Sequence, residues 1–347
     1  MSIARIAKHA GVSISTVSRV MTNSRTVQPE VEKKVRQAIA ELNLPVRQVR
    51  RREKRLEDAK QKSITIAIIT LIQEYRVWFG DSVIASVVAE LSRAAADQHM
   101  GVLMAEMPDP KTVCPIVRQG RVDGALLLIP SDVNVNVAGT LARHVPVLRV
   151  MEAQIGSTEV EQIAPDDLSV GLLAAQYLVE KGCKELAFMT FAPDWAFVRM
   201  RAQGFFNAVD AFAKGAPVGM RAYFTTPRVS VEGTYGSYAV SRPDWNQVMT
   251  EFVARRPTGL FVPRDADLVE TYKLLRQHGI EPERDITIVS CDNCERYLSE
   301  LDVRPASIDL SIKELAQYAV ACLAVRIKDP QAPVTRTLMS PRLVLPR

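Results

Sequence analysis

The reading of this chain is decided by Ala7-Lys-His-Ala-Gly-Val-Ser-Ile-Ser-Thr-Val-Ser-Arg-Val-Met21. Apolar residues at 3, 4, 6, 7 and 10 suit a short helix over Ile3–His9, just before Gly11. Gly11 reaches positive φ at little cost, so the chain can turn sharply there. Ser13 is a good N-cap for a second helix running to about Met21. Pro29 fits the first turn of a third helix reaching Leu42, and Val31, Val35, Ala38, Ile39 and Leu42 form its buried stripe. Two helices joined at a glycine turn and backed by a third describe a helix-turn-helix DNA-binding unit, an all-α head over residues 1–45.

Charge supports that reading. Residues 1–62 hold 15 Lys/Arg against 6 Asp/Glu, a net of +9, whereas residues 63–347 hold 29 against 33, a net of −4. A small basic head on a mildly acidic body points to an anionic partner. Nine of the fifteen basic residues lie from Arg36 onward, eight of them in Arg47–Lys62. Most of this charge is therefore placed to set affinity and salt sensitivity rather than to read sequence.

Several classes are excluded. With 47% hydrophobic and 24% charged residues the chain is not globally disordered. No apolar run approaches the roughly 20 residues of a spanning helix. Met1-Ser-Ile-Ala-Arg5 lacks the apolar core of a signal peptide. Five cysteines, spread from Cys114 to Cys322, make no disulfide framework. The expectation is a soluble, reduced, cytoplasmic protein with no membrane partner.

From Ser63 strands and helices alternate. Strand candidates are Thr65–Leu71, Val102–Glu106, Ala125–Ile129, Val147–Val150, Leu186–Phe191, Gly259–Val262 and Ile286–Ser290. Helical stretches lie between them, with Trp245 at the start of one. Such alternation means parallel sheets covered by helices, with strands enough for two sheets. No glycine-rich phosphate fingerprint stands at a strand–helix junction, so no nucleotide cofactor is expected.

The head resembles the N-terminal motif of the lac/galactose repressor family at Ala7, Ala10, Gly11, Val12, Ser13, Thr16, Val17, Ser18, Arg19 and Val27. The N-terminal residues of a recognition helix enter the major groove, so Ile14, Ser15 and Arg19 should face base edges, and the resemblance makes these the specificity positions. Arg19 can pair bidentately with guanine, worth about 1–3 kcal/mol of discrimination. Ile14 offers apolar contact to a thymine methyl, and Ser15 can bond either way. The hydroxyls of Thr16, Ser18 and Thr22 suit phosphates, which fix register.

Residues 46–62 form a basic linker. In the family this region is a hinge of the pattern Pro-Asn-x-x-Ala-Arg-x-Leu, whose leucine enters the minor groove. Here Val46 follows Pro45, Val49-Arg50 stands for Ala-Arg, Arg52 takes the leucine place, and the next leucine is Leu56. Two roles stay open: Arg52 enters a narrow minor groove, or Arg50, Arg51 and Arg52 bind phosphate alone.

The body, residues 63–347, is similar to the family's effector domain at Gly120-Arg-Val-Asp-Gly-Ala125, Leu178-Val-Glu-Lys-Gly182, Arg201-Ala-Gln-Gly-Phe205 and Ser290-Cys-Asp-Asn293. The resemblance implies a two-lobed α/β fold like periplasmic sugar-binding proteins. Chain crossings between lobes are expected near Ile163–Pro165, near Asp292–Asn293 and close to the C-terminus. It also implies effector contacts from Arg201 and Asp292, with Trp78, Phe79 and Trp195 as candidate stacking partners. Asp265 is kept from the family's Asn-Asp pair, and Arg264 replaces the asparagine. Two arginines in one cleft favour an anionic effector such as a sugar acid or sugar phosphate.

Cys291-Asp-Asn-Cys294 has redox or zinc spacing, but no second pair or suitably spaced histidine accompanies it. No Gly-x-Ser-x-Gly nucleophile motif occurs. No metal, no cofactor and no enzymatic activity are expected. The reading is a small-molecule-gated repressor that acts as a homodimer on palindromic double-stranded DNA, its effector a sugar or sugar derivative. The rivals are a regulator whose degenerate cleft senses a protein partner, and a cytoplasmic solute-binding protein.

Overall fold

The computed structural model describes residues 3–21, 27–42, 64–71, 82–107, 112–129, 137–151, 160–193, 195–212, 219–224 and 245–346. They fall into two compact units, Met1–Ser63 and Ile64–Arg347. Thr22, Arg50, Arg51, Arg52, Trp78 and Phe79, together with the whole 46–62 linker, lie outside the described residues.

In the head, α1 (Ile3–Ala10), α2 (Ile14–Met21) and α3 (Pro29–Glu41) follow the expected order. Gly11 stands at φ 64°, and the Val12 N–H donates to the Ala7 carbonyl at 3.0 Å, closing α1 into the turn. Ile6, Ala7, Val17, Val20, Val35 and Ala38 make the core, with Ile39 and Leu42 packed at its edge. So small a core depends on each member; full burial of Val17 is worth about 1.5–3 kcal/mol. His9 Nε2 lies 2.8 Å from Glu41 Oε2, joining α1 to the end of α3. Both groups are half-exposed, so the pair adds little stability.

In the body, β1 (Thr65–Leu71), α4 (Ser82–Asp97), β2 (Gly101–Met107), α5 (Pro115–Arg118), β3 (Gly124–Leu128), α6 (Val137–Ala142), β4 (Val147–Val150) and β5 (Glu161–Pro165) begin the first lobe. The second lobe contains α7 (Asp167–Glu180), β6 (Glu185–Thr190), α8 (Ala196–Phe212), β7 (Gly219–Phe224), α9 (Trp245–Arg255), β8 (Gly259–Val262), α10 (Leu268–Gln277), β9 (Thr287–Cys291), α11 (Glu295–Leu298) and β10 (Ala306–Asp309). The chain ends with α12 (Ile312–Lys328), β11 (Arg336–Met339) and β12 (Arg342–Val344).

One six-stranded sheet has the order β11-β5-β4-β3-β1-β2, the other β12-β10-β9-β8-β6-β7. Every pairing is parallel except that of β10 with β12. Helices cover the parallel sheets, so Ile66, Ile68, Leu126 and Leu148 are buried in one core and Phe188, Phe261 and Val289 in another.

The seven expected strands are present, with ends shifted by one residue at most. Five others escaped the sequence reading. In β5 and β10 much of what is buried is polar, including Gln162 and Ser307, so hydropathy does not mark them. Strands β11 and β12 lie at sheet edges with partly exposed side chains.

The crossings correct one expectation. The chain leaves the first sheet after β5, as expected near Ile163–Pro165. Asp292–Asn293 is not a crossing, because β9 and β10 pair within one sheet. Positive φ at Asp292 (109°) and Asn293 (47°) instead turns the chain back into α11. The second crossing falls at Leu310–Ser311, after which α12 packs Leu315, Ala319 and Leu323 into the first lobe. The third lies between β11 and β12, close to the C-terminus as expected.

Two glycines position the site. Helices α7 and α8 cross so closely that a Cβ on Gly171 would stand 2.1 Å from the Arg201 carbonyl oxygen, and one on Gly204 2.0 Å from that of Leu168. This contact of backbone with backbone brings the first turn of α7 against Arg201.

Candidate nucleic-acid interface and effector wall

Helix α2 presents two faces. Val17 and Val20 point into the head core, while Ile14 is 56% exposed and Ser15 and Arg19 are exposed. Ser15 and Arg19 are four residues apart, so they share one face. Ser18 lies on the same helix, one turn after Ile14. An isoleucine this exposed at the first turn of a short helix has found no partner in the head core.

The Ser13 hydroxyl caps the helix, accepting the Thr16 N–H at 3.1 Å. It also stands 2.7 Å from the Ser15 hydroxyl and 2.8 Å from that of Thr16. Three hydroxyls thus share hydrogen bonds at the N-terminus of α2, where the helix dipole favours an anion. Ser15 and Thr16 would have to trade these bonds for contacts to a base or a phosphate.

The second site lies where the parallel strands β6, β8 and β9 end at the same edge of their sheet, the usual place for ligands in open α/β folds. Their loops carry Trp195, Arg264, Asp265 and Asp292, and α8 brings Arg201 to the same place. Arg201 is 3% exposed. Its Nε donates to Asp167 Oδ1 at 2.8 Å, and its Nη1 donates to the Pro263 carbonyl at 2.6 Å and to Asp292 Oδ1 at 3.1 Å. Nη2 stands outside these three bonds. Burial opposes the charge of Arg201, but Asp167 and Asp292 help to hold its pKa raised, so it remains a cation. Burial pushes Asp167 up, and Arg201 pulls it back.

Beside this pair runs a ladder of cations and rings. Arg264 Cζ lies 4.4 Å from the centre of the Trp195 ring, Trp195 meets Phe197 edge-on at 5.3 Å, and Arg201 Cζ stands 4.8 Å over Phe197. Arg264 also lies 3.5 Å from Asp267. Neither arginine is therefore an isolated charge: Asp167 and Asp292 face Arg201, and Asp267 faces Arg264.

Asp265 is fully buried beneath the wall. It accepts from the Ser290 hydroxyl, from the Ser307 hydroxyl at 3.0 Å and from the Cys294 N–H at 2.7 Å. Burial first, and then the neighbouring Asp292 charge, push its pKa up to about 7 against the pull of these donors. Asp265 ties the loop after β8 to β9, β10 and the start of α11. Cys291 is buried beside it, its thiol pushed well up by burial.

Two participants went unrecognised in the sequence. Asp167 had no motif, although Asp166 caps α7 by accepting the Ser169 N–H at 3.1 Å and so sets Asp167 in the first turn. Phe197 precedes Arg201 by one helical turn, a spacing that places both on one face.

The model of bacterial regulatory proteins of the lacI family matches residues 2–44, and that of the periplasmic binding protein-like domain matches residues 175–346. The chain belongs to the lacI family. Like the family's other members it is a DNA-binding regulator of transcription. The ribose operon repressor of Haemophilus influenzae is 27% identical over 347 residues, covering 98% of this chain and 96% of that protein. The fold is shared with the CelR–cellobiose complex (TM-score 0.61, 20% identity, 99% of this chain and 98% of that one). It is shared also with the lac repressor dimer bound to operator and an anti-inducer (TM-score 0.61, 20% identity, 99% and 97%). The two-lobed architecture expected from the sequence is that of the lacI family. Among the described residues, no helix is long and apolar enough to cross a membrane.

Proposed function

We propose that the chain represses transcription as a homodimer on a palindromic operator and is gated by a small sugar held against the wall of Arg201 and Asp292. The exposed face of α2 carries the DNA half of this reading: Ile14, Ser15 and Arg19 meet base edges, while Thr16, Ser18 and Thr22 meet phosphates. Arg50, Arg51 and Arg52 add phosphate contacts from the linker. One such head buries too little surface for selective binding, and a pair on two half-sites solves this. The relation to a ribose operon repressor and the fold shared with a cellobiose-bound regulator support the sugar.

The wall itself narrows the ligand. A guanidinium fixed by two carboxylates, with Trp195 and Phe197 beside it, offers polar groups for hydroxyls and an apolar surface for a ring. Arg264 and Trp78 or Phe79 complete the candidate set, and Asp265 acts from beneath. Because Asp167, Asp267 and Asp292 already pair with the two arginines, a neutral sugar suits the wall better than a sugar acid or sugar phosphate.

Calorimetric titration of the full-length protein with ribose, cellobiose and a sugar acid tests this. Binding of a neutral sugar, weakened about tenfold or more in Arg201→Lys, is expected. Binding of the acid alone would overturn the charge argument, and no binding by any of them would favour a cleft that senses a protein partner.

A further inference from the structure

One carboxylate, Asp309 at the end of β10, is bonded to the effector loop and to two of the three crossings between lobes. Its Oδ2 accepts from Asn293 Nδ2 at 3.4 Å, and its Oδ1 accepts from the Ser311 N–H at 2.7 Å. Asn293 follows Asp292, the partner of Arg201, and Ser311 is the last residue before α12 enters the first lobe. Arg342, which opens β12 after the third crossing, donates through Nη2 to Asp309 Oδ2 at 3.3 Å. The same nitrogen stands 3.9 Å from Glu314, in the first turn of α12.

The backbone at these points is unusual. Asp292, Asn293 and Ser311 have φ of 109°, 47° and 56°, a region non-glycine residues rarely occupy. The Asp292 N–H is held by the Ile308 carbonyl at 2.8 Å, and the Asn293 N–H by the Ser307 hydroxyl at 3.0 Å, so β10 grips the effector loop along its length. Such conformations persist only where the surroundings impose them, and they gather at ligand clamps and switches. Asp309 is 21% exposed and Arg342 61%, an ion pair that adds little to folding stability. Its bonds instead join segments that must move relative to one another if the lobes turn.

We propose that Asp309 is the positioning residue that couples the effector wall to the angle between the lobes. This rests on the effector-gated reading given above. A shift of Asp292 on ligand binding passes through Asn293 to Asp309, and from there to Ser311 and to the Arg342–Glu314 pair that spans the lobes. Removing the carboxylate takes away the side-chain bonds between the effector loop and the crossings while leaving Arg201, Asp292 and the head in place.

The test compares wild type, Asp309→Asn and Arg342→Gln, with Asp302→Asn as control, a surface carboxylate paired with Arg276. Hydrogen exchange on the unliganded full-length proteins is read over residues 289–296 and 308–316. Affinity for a duplex from the DNA upstream of the protein's own gene is measured on the same samples. Faster exchange in both segments is expected in Asp309→Asn and Arg342→Gln, with operator affinity shifted about fivefold or more and the control unchanged. Exchange altered only at 309–311, with 292–296 as in wild type, would overturn the proposal. Arg342→Gln alters only an exposed side chain, so it decides the matter even if Asp309→Asn folds poorly. Should wild type show no preference for its upstream DNA, the regulator reading falls, and the exchange result still decides the coupling.

Discussion

Arg201 keeps its charge inside the protein because Asp167, Asp292 and the Pro263 carbonyl converge on it. Breaking a buried pair leaves an uncompensated charge, which is costlier than never having had the pair. Asp167→Asn should therefore lower the free energy of unfolding by about 3 kcal/mol, seen as a reduced denaturant midpoint; an unchanged midpoint would mean that Asp292 alone suffices. In the head, Arg19→Ala should remove about 1–3 kcal/mol of sequence discrimination while non-specific affinity changes little, measurable by competition between operator and scrambled DNA. At this scale sequence legibility was uneven. Arg201 and Asp292 were legible as candidates because their neighbours follow a recognisable pattern. Asp167 and Phe197 were not, since their roles come from a helix cap and a one-turn spacing that have meaning only once α7 and α8 are seen to touch.

Helices α7 and α8 depend on two residues with no side chain. A methyl group at Gly171 would fall 2.1 Å from the Arg201 carbonyl, a distance at which backbone must move. Gly171→Ala is expected to cost about 1–3 kcal/mol and to weaken effector binding more than a surface change of equal cost, because the displaced helix carries Arg201. The basic linker is a second element with a measurable role. Replacing Arg50, Arg51 and Arg52 by Ala should flatten the dependence of log K on log salt by about 0.9 for each phosphate that is no longer neutralised; an unchanged slope would remove the cluster from the interface. Helices and central strands were legible because their apolar periodicity is strong. Strands β5 and β10 were not, because Gln162 and Ser307 are buried by hydrogen bonding rather than by hydropathy. The same blindness put a crossing at Asp292–Asn293 instead of Leu310–Ser311.

For the molecule as a whole, buried acids set the response to pH. Asp265 is pushed from 3.8 up to about 7, and Glu283 from 4.5 up to about 7, both mainly by burial. A carboxyl whose folded pKa is raised holds its proton in the native state after the unfolded chain has released it. The native state then binds more protons between about pH 4 and pH 7, so stability should fall as pH rises through that window and level off above it. Asp265→Asn should reduce that slope without abolishing it, since Glu283 acts in the same sense, and denaturation midpoints across the window would show it. Asp285, held at about 2 by Arg284, titrates below this range.

In the function proposed above, a basic helix-turn-helix head reads DNA under the control of a ligand-sensing body. Quantitative footprinting of the full-length protein on the DNA upstream of its own gene tests it most directly. Wild type should protect an inverted repeat, show a weaker preference for it in Arg19→Ala, and shift its affinity when a bound neutral sugar is added. Equal affinity for the repeat and for scrambled DNA, with or without sugar, would contradict it.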